Sequence, residues 1–519
     1  MSFRITYSVL NADMSALHKE LDGVFVKVKG ALGKEHPSYI GAKAVTGSAW
    51  LDDFNPADRR VLLGRFALAS SKDVDAAFDH AHRAQKDWAR RPWQERVRLI
   101  NKAADLISER RQELAAIMVL ETGKNRLEAL GDVEEAADLF RYYAQQMENE
   151  KGFVKPLAKL SPNEDTRSVL KPWGVFVVVA PFNFPMALAA GMASAALLGG
   201  NTVILKPSEE TPWTGNKLYE VLRDAGLPDG VFQLVHGGRE LGAALTTHAK
   251  ADGVVFTGSK HVGMQLLRQA ASGVYPKPCF VEMGGKNPAI ICASADLDKA
   301  VTGCMRSAFG LSGQKCSALS RAYVHESLHD EFLNRLILKT QTLKIGDPVL
   351  QETFIGPVIN AKSVERYAQA AAEAKRDGKV LFGGATLEKS PGLEHGHFVA
   401  PTIVSVPRGH RLEREELFLP FMIVAPFKTL DEAIARANDC DYGLTGGVFS
   451  ADKAEVERFM DELEAGVLYS NRETGATTGA WPGVQAFCGW KGSGASGKGG
   501  CGPYYVSQFM REQSQTRMG

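Results

Sequence analysis

The stretch GVFVVVAPFNFPMALAAGMASAALLGGNTVILKPSEETP, residues 174–212, decides the fold. Val175–Val179 is a short β-branched run, which suits a strand buried on both faces. A small-residue helical segment follows, and then TVILK, a second buried run stopped by Pro207. The pattern continues with a helix over KLYEVLRDAGLPDG ending on a glycine cap, a strand over VFQLVHG, a helix over ELGAALTTH and a strand over ADGVVFTGS. Strand–helix alternation at this spacing predicts βαβ units and a parallel, doubly wound sheet. Ligands of such sheets sit beyond the carboxyl ends of the strands. Those ends carry Pro181-Phe182-Asn183, Lys206-Pro207-Ser208-Glu209 and Thr257-Gly258-Ser259, all polar or turn-forming.

On the N-terminal side, residues 72–149 repeat apolar positions at three-to-four spacing and read as helices. Residues 1–50 carry no clear pattern. On the C-terminal side a second alternating region runs from about 280 to 470, with strands at PAIICA, RAYVH, TIVSV, MIVAPF and GGVFS. The tail from Asn471 is glycine-rich, but its interleaved Trp481, Phe487 and Trp490 predict that it packs. A chain of 519 residues exceeds one core and suggests about two to four domains. A net charge of +1 gives no global field for nucleic acid or an anionic membrane. The seven scattered cysteines include no C-x-x-C pair, which fits a reducing compartment and an expected cytoplasmic location. No secretory signal and no bilayer-spanning apolar run is expected.

GLSGQKCSALSR, residues 310–321, sets Cys316 among small and polar residues. A reactive cysteine needs access and an electropositive setting, whereas a structural one is buried and inert. Cys316 follows Lys315 and the glycines Gly310 and Gly313, and it needs partners elsewhere in the chain to act as a nucleophile. Glu282, in FVEMGGKNPAII, is either a lysine partner or a desolvated general base. Asn183, in APFNFP, is either a turn residue or a rigidly held oxyanion donor. Lys206 and Glu209, in KPSEETP, are either solvated or clasp a ribose diol, and the carboxylate would repel a 2′-phosphate and favour NAD over NADP. FTGSKHVG has a strand–glycine–helix form suited to a phosphate. GSGASGKGG, residues 492–500, mimics P-loop spacing, but Gly499 stands where Ser or Thr would bind magnesium, so it reads as a loop.

Taken in order, PFNFP, KPSEETP, FTGS, VEMGGKNPAII, GQKCSA, EELF and the late F-x-G-W-K-G-S-G segment resemble the aldehyde dehydrogenase superfamily over roughly residues 45–515. The resemblance implies an α/β fold: a Rossmann-like NAD-binding domain (1–151 and 172–283), an α/β catalytic domain (284–470) and a small β oligomerisation arm and tail (152–171 and 496–519). It implies that Cys316 attacks an aldehyde to give a thiohemiacetal, that Asn183 and the Cys316 backbone N–H hold the oxyanion, and that hydride loss leaves a thioester which Glu282 hydrolyses through water. Lys206, Glu209 and Ser208 would bind the ribose end of NAD and Gly258 and Ser259 the pyrophosphate. Phe182, Glu416 and Phe418 would position the nicotinamide end. No catalytic metal is expected, and the partners expected are a small-molecule aldehyde and further copies of the chain, as a homodimer or higher oligomer.

Within the superfamily, GQKCSALSR, EMGGKN and NRETGATTGAWPGVQAF resemble the 1-pyrroline-5-carboxylate (glutamate γ-semialdehyde) dehydrogenases. That branch implies that Ser317 and the backbone of Gly479 and Ala480 hold a substrate carboxylate, with Phe487 on the aliphatic part. It also implies Glu135 near an amino group and Phe184 as a tunnel wall. Three departures surround the substrate mouth and nicotinamide: ELFLP has Leu419 for a glycine, QAFCG has Ala486 and Cys488, and Trp481-Pro482 is bulky. The alternatives are another aromatic or aliphatic aldehyde, a CoA-acylating enzyme, which the presence of Glu282 disfavours, and a non-catalytic relative.

Overall fold

The computed structural model describes residue 6, residues 14–47 and residues 49–519. Two seven-stranded sheets organise the chain. In the first, strands Cys279–Glu282, Gly253–Thr257, Val175–Val179, Thr202–Lys206 and Phe232–Leu234 lie side by side and parallel. Ser38–Ile40 and Lys43–Val45 extend it antiparallel at one edge. Val175–Val179 lies between Thr202–Lys206 and Gly253–Thr257, so strand order reverses there and a crevice opens at its carboxyl end. The Pro181–Phe184 turn occupies that position.

The helices form where the apolar spacing predicts them: Ser71–Arg90, Trp93–Glu109, Arg111–Thr122 and Arg126–Asn149 cover 71–149. Ser70 starts the first with a capping box to Asp73. Gly226 ends Pro212–Ala225 in the left-handed conformation (φ 94°), which only glycine adopts without strain. The second sheet runs Lys379–Phe382, Thr402–Ser405, Phe421–Phe427, Leu319–His325, Asn287–Ile291, Thr445–Phe449, Val467–Ser470, parallel except at its first pair. Residues that gave no sequence signal also form structure. Ser15–Lys29 is a helix burying Leu21, Phe25 and Val28.

A separate three-stranded sheet pairs Met510–Met518 with Glu164–Pro172 over nine residues, and Val154–Pro156 with the other side of Glu164–Pro172. Within the segment 496–519 expected as arm and tail, the strand is Met510–Met518. The preceding Cys501, Tyr505, Val506 and Phe509 are buried in the core around Tyr143 and Phe176, where Tyr505 stacks on Tyr143 and Phe509 packs on Phe176. Among the described residues, no helix is long and apolar enough to cross a membrane.

Candidate active site

Cys316 follows a turn of unusual backbone. Leu311, Ser312 and Gly313 all have positive φ (48°, 52° and 67°). Such conformations persist only where surroundings over-determine them. Leu311 N–H donates to Glu128 Oε2 (3.0 Å), Ser312 Oγ donates to the Gly356 carbonyl (2.7 Å), and Gly313 packs so tightly on the Leu419–Pro420 peptide that a Cβ would collide with it. Beyond the turn, Asn287 Nδ2 donates to the carbonyls of Cys316 (2.8 Å) and Ala318 (2.9 Å), while its Oδ1 accepts from Thr445 N–H (3.0 Å). One buried amide thus ties the cysteine segment to the second sheet.

Cys316 faces a cavity of about 260 Å³. Glu282 and Phe184 line it from the carboxyl ends of first-sheet strands, Glu135 from the helix Arg126–Asn149, and Ser317 from the residue after the cysteine. Gly479, Ala480 and Phe487 contribute the C-terminal wall. Asn183 lies outside this lining. It is buried, and its amide nitrogen donates to the Gln314 carbonyl (3.0 Å), two residues before Cys316.

The electrostatics differ from the expected electropositive setting. Lys315 turns to Glu128 (2.7 Å), so its charge is spent on the turn. Burial pushes the Cys316 thiol up to about 12, the carboxyls of Glu416 and Glu282 add to the shift, and the N–H groups of Ser317 and Cys316 oppose it. The thiol therefore needs a base or a bound cation to ionise. Burial raises Glu282 to about 8, against one bond from Gly489 N–H (3.0 Å), and its Oε1 is buried without a partner. A carboxyl held this way is tuned for proton transfer near neutrality.

The remaining candidates gather outside the cavity, at the carboxyl ends of the first sheet. Lys206 is buried and donates to the Pro207 carbonyl (2.9 Å), and burial lowers it to about 8 against the raising effect of Glu209. Its stem passes 3.3 Å from where a Gly242 Cβ would stand, and the Glu209 carboxylate lies over Gly238. Ser208 Oγ accepts from Glu210 N–H (3.2 Å) and shapes the turn. Gly258 N–H donates to the Glu282 carbonyl (3.0 Å), linking this crevice to the cavity. Ser259 caps the helix Lys260–Ala270, accepting from Val262 N–H (3.4 Å). Glu416 arrives from the second unit, accepts from Gly285 N–H (2.9 Å), and is raised by burial to about 7. Phe418 adopts φ 59° and meets Phe182 edge-on, ring centroids 5.8 Å apart.

The departures resolve structurally. Leu419 is buried in an apolar cluster with Leu417 and Phe421, and contributes only its carbonyl to the Gly313 contact. Trp481 is buried and donates to Asp138 Oδ2 (2.9 Å). Cys488 is buried near Glu282. Sequence reasoning missed Glu128, Arg306, Tyr143 and Cys501, all on the cavity wall. It also missed the buried Lys124–Asp132 pair (2.7 Å), whose ammonium stands 4.3 Å from the Phe184 ring. The sequence carried little signal for the pair, because Lys124 lies in the loop between two helices and Asp132 is one of many charges on the helix that follows.

The family model for "Aldehyde dehydrogenase family" matches residues 44–514. A 1-pyrroline-5-carboxylate dehydrogenase of Geobacillus sp. (strain WCH70) is 37% identical over 512 residues, 97% of either chain. A 1-pyrroline-5-carboxylate dehydrogenase from Thermus, solved with bound NAD, superposes with a TM-score of 0.94 at 34% identity, over 100% of this chain and 99% of that one. Proline utilization A (PutA) from Bdellovibrio bacteriovorus gives a TM-score of 0.92 at 37% identity over 97% of this chain, which spans about half (52%) of that protein's length. A half-buried cysteine and glutamate on one cavity, a dinucleotide-type crevice beside it and these matches along nearly the whole length lead to one conclusion: the chain belongs to the aldehyde dehydrogenase family.

Proposed function

We propose that this protein oxidises an aldehyde to a carboxylate with NAD, and that its substrate is L-glutamate γ-semialdehyde, the open form of 1-pyrroline-5-carboxylate. The observation that carries this reading is the shared cavity. It brings Cys316 and Glu282 together with Ser317, Gly479 and Ala480, which suit a nucleophile, a base and a carboxylate seat.

The crevice at the first sheet fits NAD. Glu209 over Gly238, and Lys206 beneath Gly242, suit a ribose diol, and the exposed Glu209 carboxylate disfavours a 2′-phosphate. Ser259 at a helix N-terminus suits the pyrophosphate. NAD, when bound, supplies the hydride acceptor. The chain does the rest. Cys316 Sγ bonds to the aldehyde carbon, and its proton leaves through a base. The second N–H of the Asn183 amide and the Cys316 backbone N–H stabilise the oxyanion. After hydride loss, Glu282 takes a proton from water, which attacks the thioester carbon. The C–S bond breaks and the Cys316 thiol is regained. The reading places the enzyme in the cytoplasm and in proline breakdown, and it draws on the dehydrogenases matched above.

The test is NADH formation with glutamate semialdehyde, succinic semialdehyde, benzaldehyde and hexanal, beside Cys316→Ala. Glutamate semialdehyde should lead in kcat/KM by about tenfold or more, which is roughly 1.4 kcal/mol of transition-state preference. Cys316→Ala should abolish turnover. A leading uncharged aldehyde would overturn the substrate assignment, and CoA-dependent thioester release would overturn the hydrolytic one.

A further inference from the structure

Several charged residues on the cavity wall have no part in the chemistry above, and Arg306 is the one that meets the C-terminal loop. Arg306 lies on the helix Leu297–Phe309, and its side chain lines the cavity that holds Cys316 and Ser317. Its Nε donates to the Thr474 carbonyl (3.2 Å). The next residue, Ser307, shares a hydrogen bond with the Thr478 hydroxyl (3.1 Å) and accepts from Thr477 N–H (3.2 Å). This helix therefore carries the loop that ends in Gly479 and Ala480, and Thr474, Thr478, Gly479 and Ala480 line the same cavity.

The charges around the cavity divide by element. The helix Arg126–Asn149 contributes Glu128 and Glu135 to the wall. Glu128 binds Lys315 and the Leu311 N–H of the cysteine turn, and with Glu473 it also adds negative charge around Arg306. Arg306 lines the cavity and bonds the 474–480 loop, whereas Arg472, which also holds that loop through the Gly479 carbonyl (2.8 Å), lies outside the lining; Glu135 is a carboxylate on a different helix. A tail with one anionic and one cationic group matches that pair of charges. A guanidinium suits the anionic part because it is planar, always charged and bonds carboxylate oxygens in pairs.

We propose that Arg306 is a specificity-determining residue: held against the Thr474 carbonyl, its guanidinium selects aldehydes whose tail carries a carboxylate seated on the 478–480 loop. The inference rests on the carboxylate-bearing substrate proposed above and goes beyond it by assigning the charge that reads that group.

The full-length wild type, Arg306→Lys and Arg306→Met are compared on glutamate semialdehyde and on hexanal, with calorimetric binding of glutamate as a readout free of turnover. For Arg306→Met the KM for glutamate semialdehyde should rise by about 30-fold or more, while its kcat and the kcat/KM for hexanal stay within about threefold. Glutamate binding should weaken in parallel, and Arg306→Lys should recover part of both losses. Equal losses on the two aldehydes would reduce Arg306 to a scaffold for the loop and overturn the proposal, as would no loss on either. A wild type that binds no glutamate and favours hexanal would instead overturn the substrate reading, and this inference with it. A wild type that favours glutamate semialdehyde beside an unimpaired Arg306→Met would overturn this inference alone.

Discussion

At the scale of single residues, the site pairs a thiol and a carboxyl that burial has pushed toward their protonated forms. Glu282 holds its proton until the pH passes about 8. A general base works only when deprotonated, so the hydrolytic step should speed up as pH rises through that value and slow below it. Glu282→Gln should lower steady-state kcat by about 10²- to 10⁴-fold. It should leave an initial burst of NADH of about one equivalent per site, and its residual rate should lose the pH step near 8. Rapid-mixing absorbance at 340 nm across pH 6–9 checks both. Absence of a burst with loss of all turnover would mean that Glu282 serves the attack of Cys316 instead of hydrolysis. Asn183→Ala should cost about 10²- to 10³-fold in kcat with little change in the KM for NAD, as expected for a lost oxyanion donor.

At the scale of elements, the turn before Cys316 is tightly constrained, with three successive residues at positive φ. Gly313→Ala would need a strained backbone at φ 67° and would force a methyl into the Leu419–Pro420 peptide. The strain alone costs about 1–3 kcal/mol. Activity should fall far more than Tm, and the two are separated by thermal melting beside steady-state assays. This turn also marks the limit of what sequence could reveal. The alternation through 174–259 was legible because buried parallel strands read as unbroken apolar runs. The order of Asn183, Lys206, Glu282 and Cys316 was legible because each sits at a strand end or a glycine-flanked turn. The setting of the thiol was not, since Lys315 is adjacent in sequence yet points to Glu128, 187 residues away. Arg306 was hidden for a similar reason: on an amphipathic helix a lone arginine reads as a solvated face. The helix Ser15–Lys29 was not legible because Val24 and the exposed Val26 blur the stripe of Leu21, Phe25 and Val28, and the strands that follow are three residues long, too short to carry a pattern.

At the scale of the whole molecule, the three-stranded sheet of Met510–Met518, Glu164–Pro172 and Val154–Pro156 leaves both outer edges open. It also exposes Val154 (41%), Leu157 (45%) and Leu160 (98%). Open edges and solvated leucines invite pairing with another chain. We propose that this sheet joins copies of the protein. Val154→Lys with Leu160→Lys should reduce the mass measured by light scattering to that of a smaller assembly and leave the fold intact by circular dichroism, since neither side chain is part of a core. An unchanged mass would remove the sheet from the interface.

The asparagine that fastens the cysteine segment has a further consequence, for the durability of the enzyme. Asparagines age by attack of the following backbone nitrogen on the side-chain amide, and the product is an acid. At position 287 that conversion would set a carboxylate against the Cys316 and Ala318 carbonyls it now donates to. The following residue is Pro288, whose nitrogen bears no hydrogen and is closed in a ring. The clamp on the nucleophile is therefore shielded from the commonest spontaneous damage to its own side chain, and the site should not lose its geometry with time by that route.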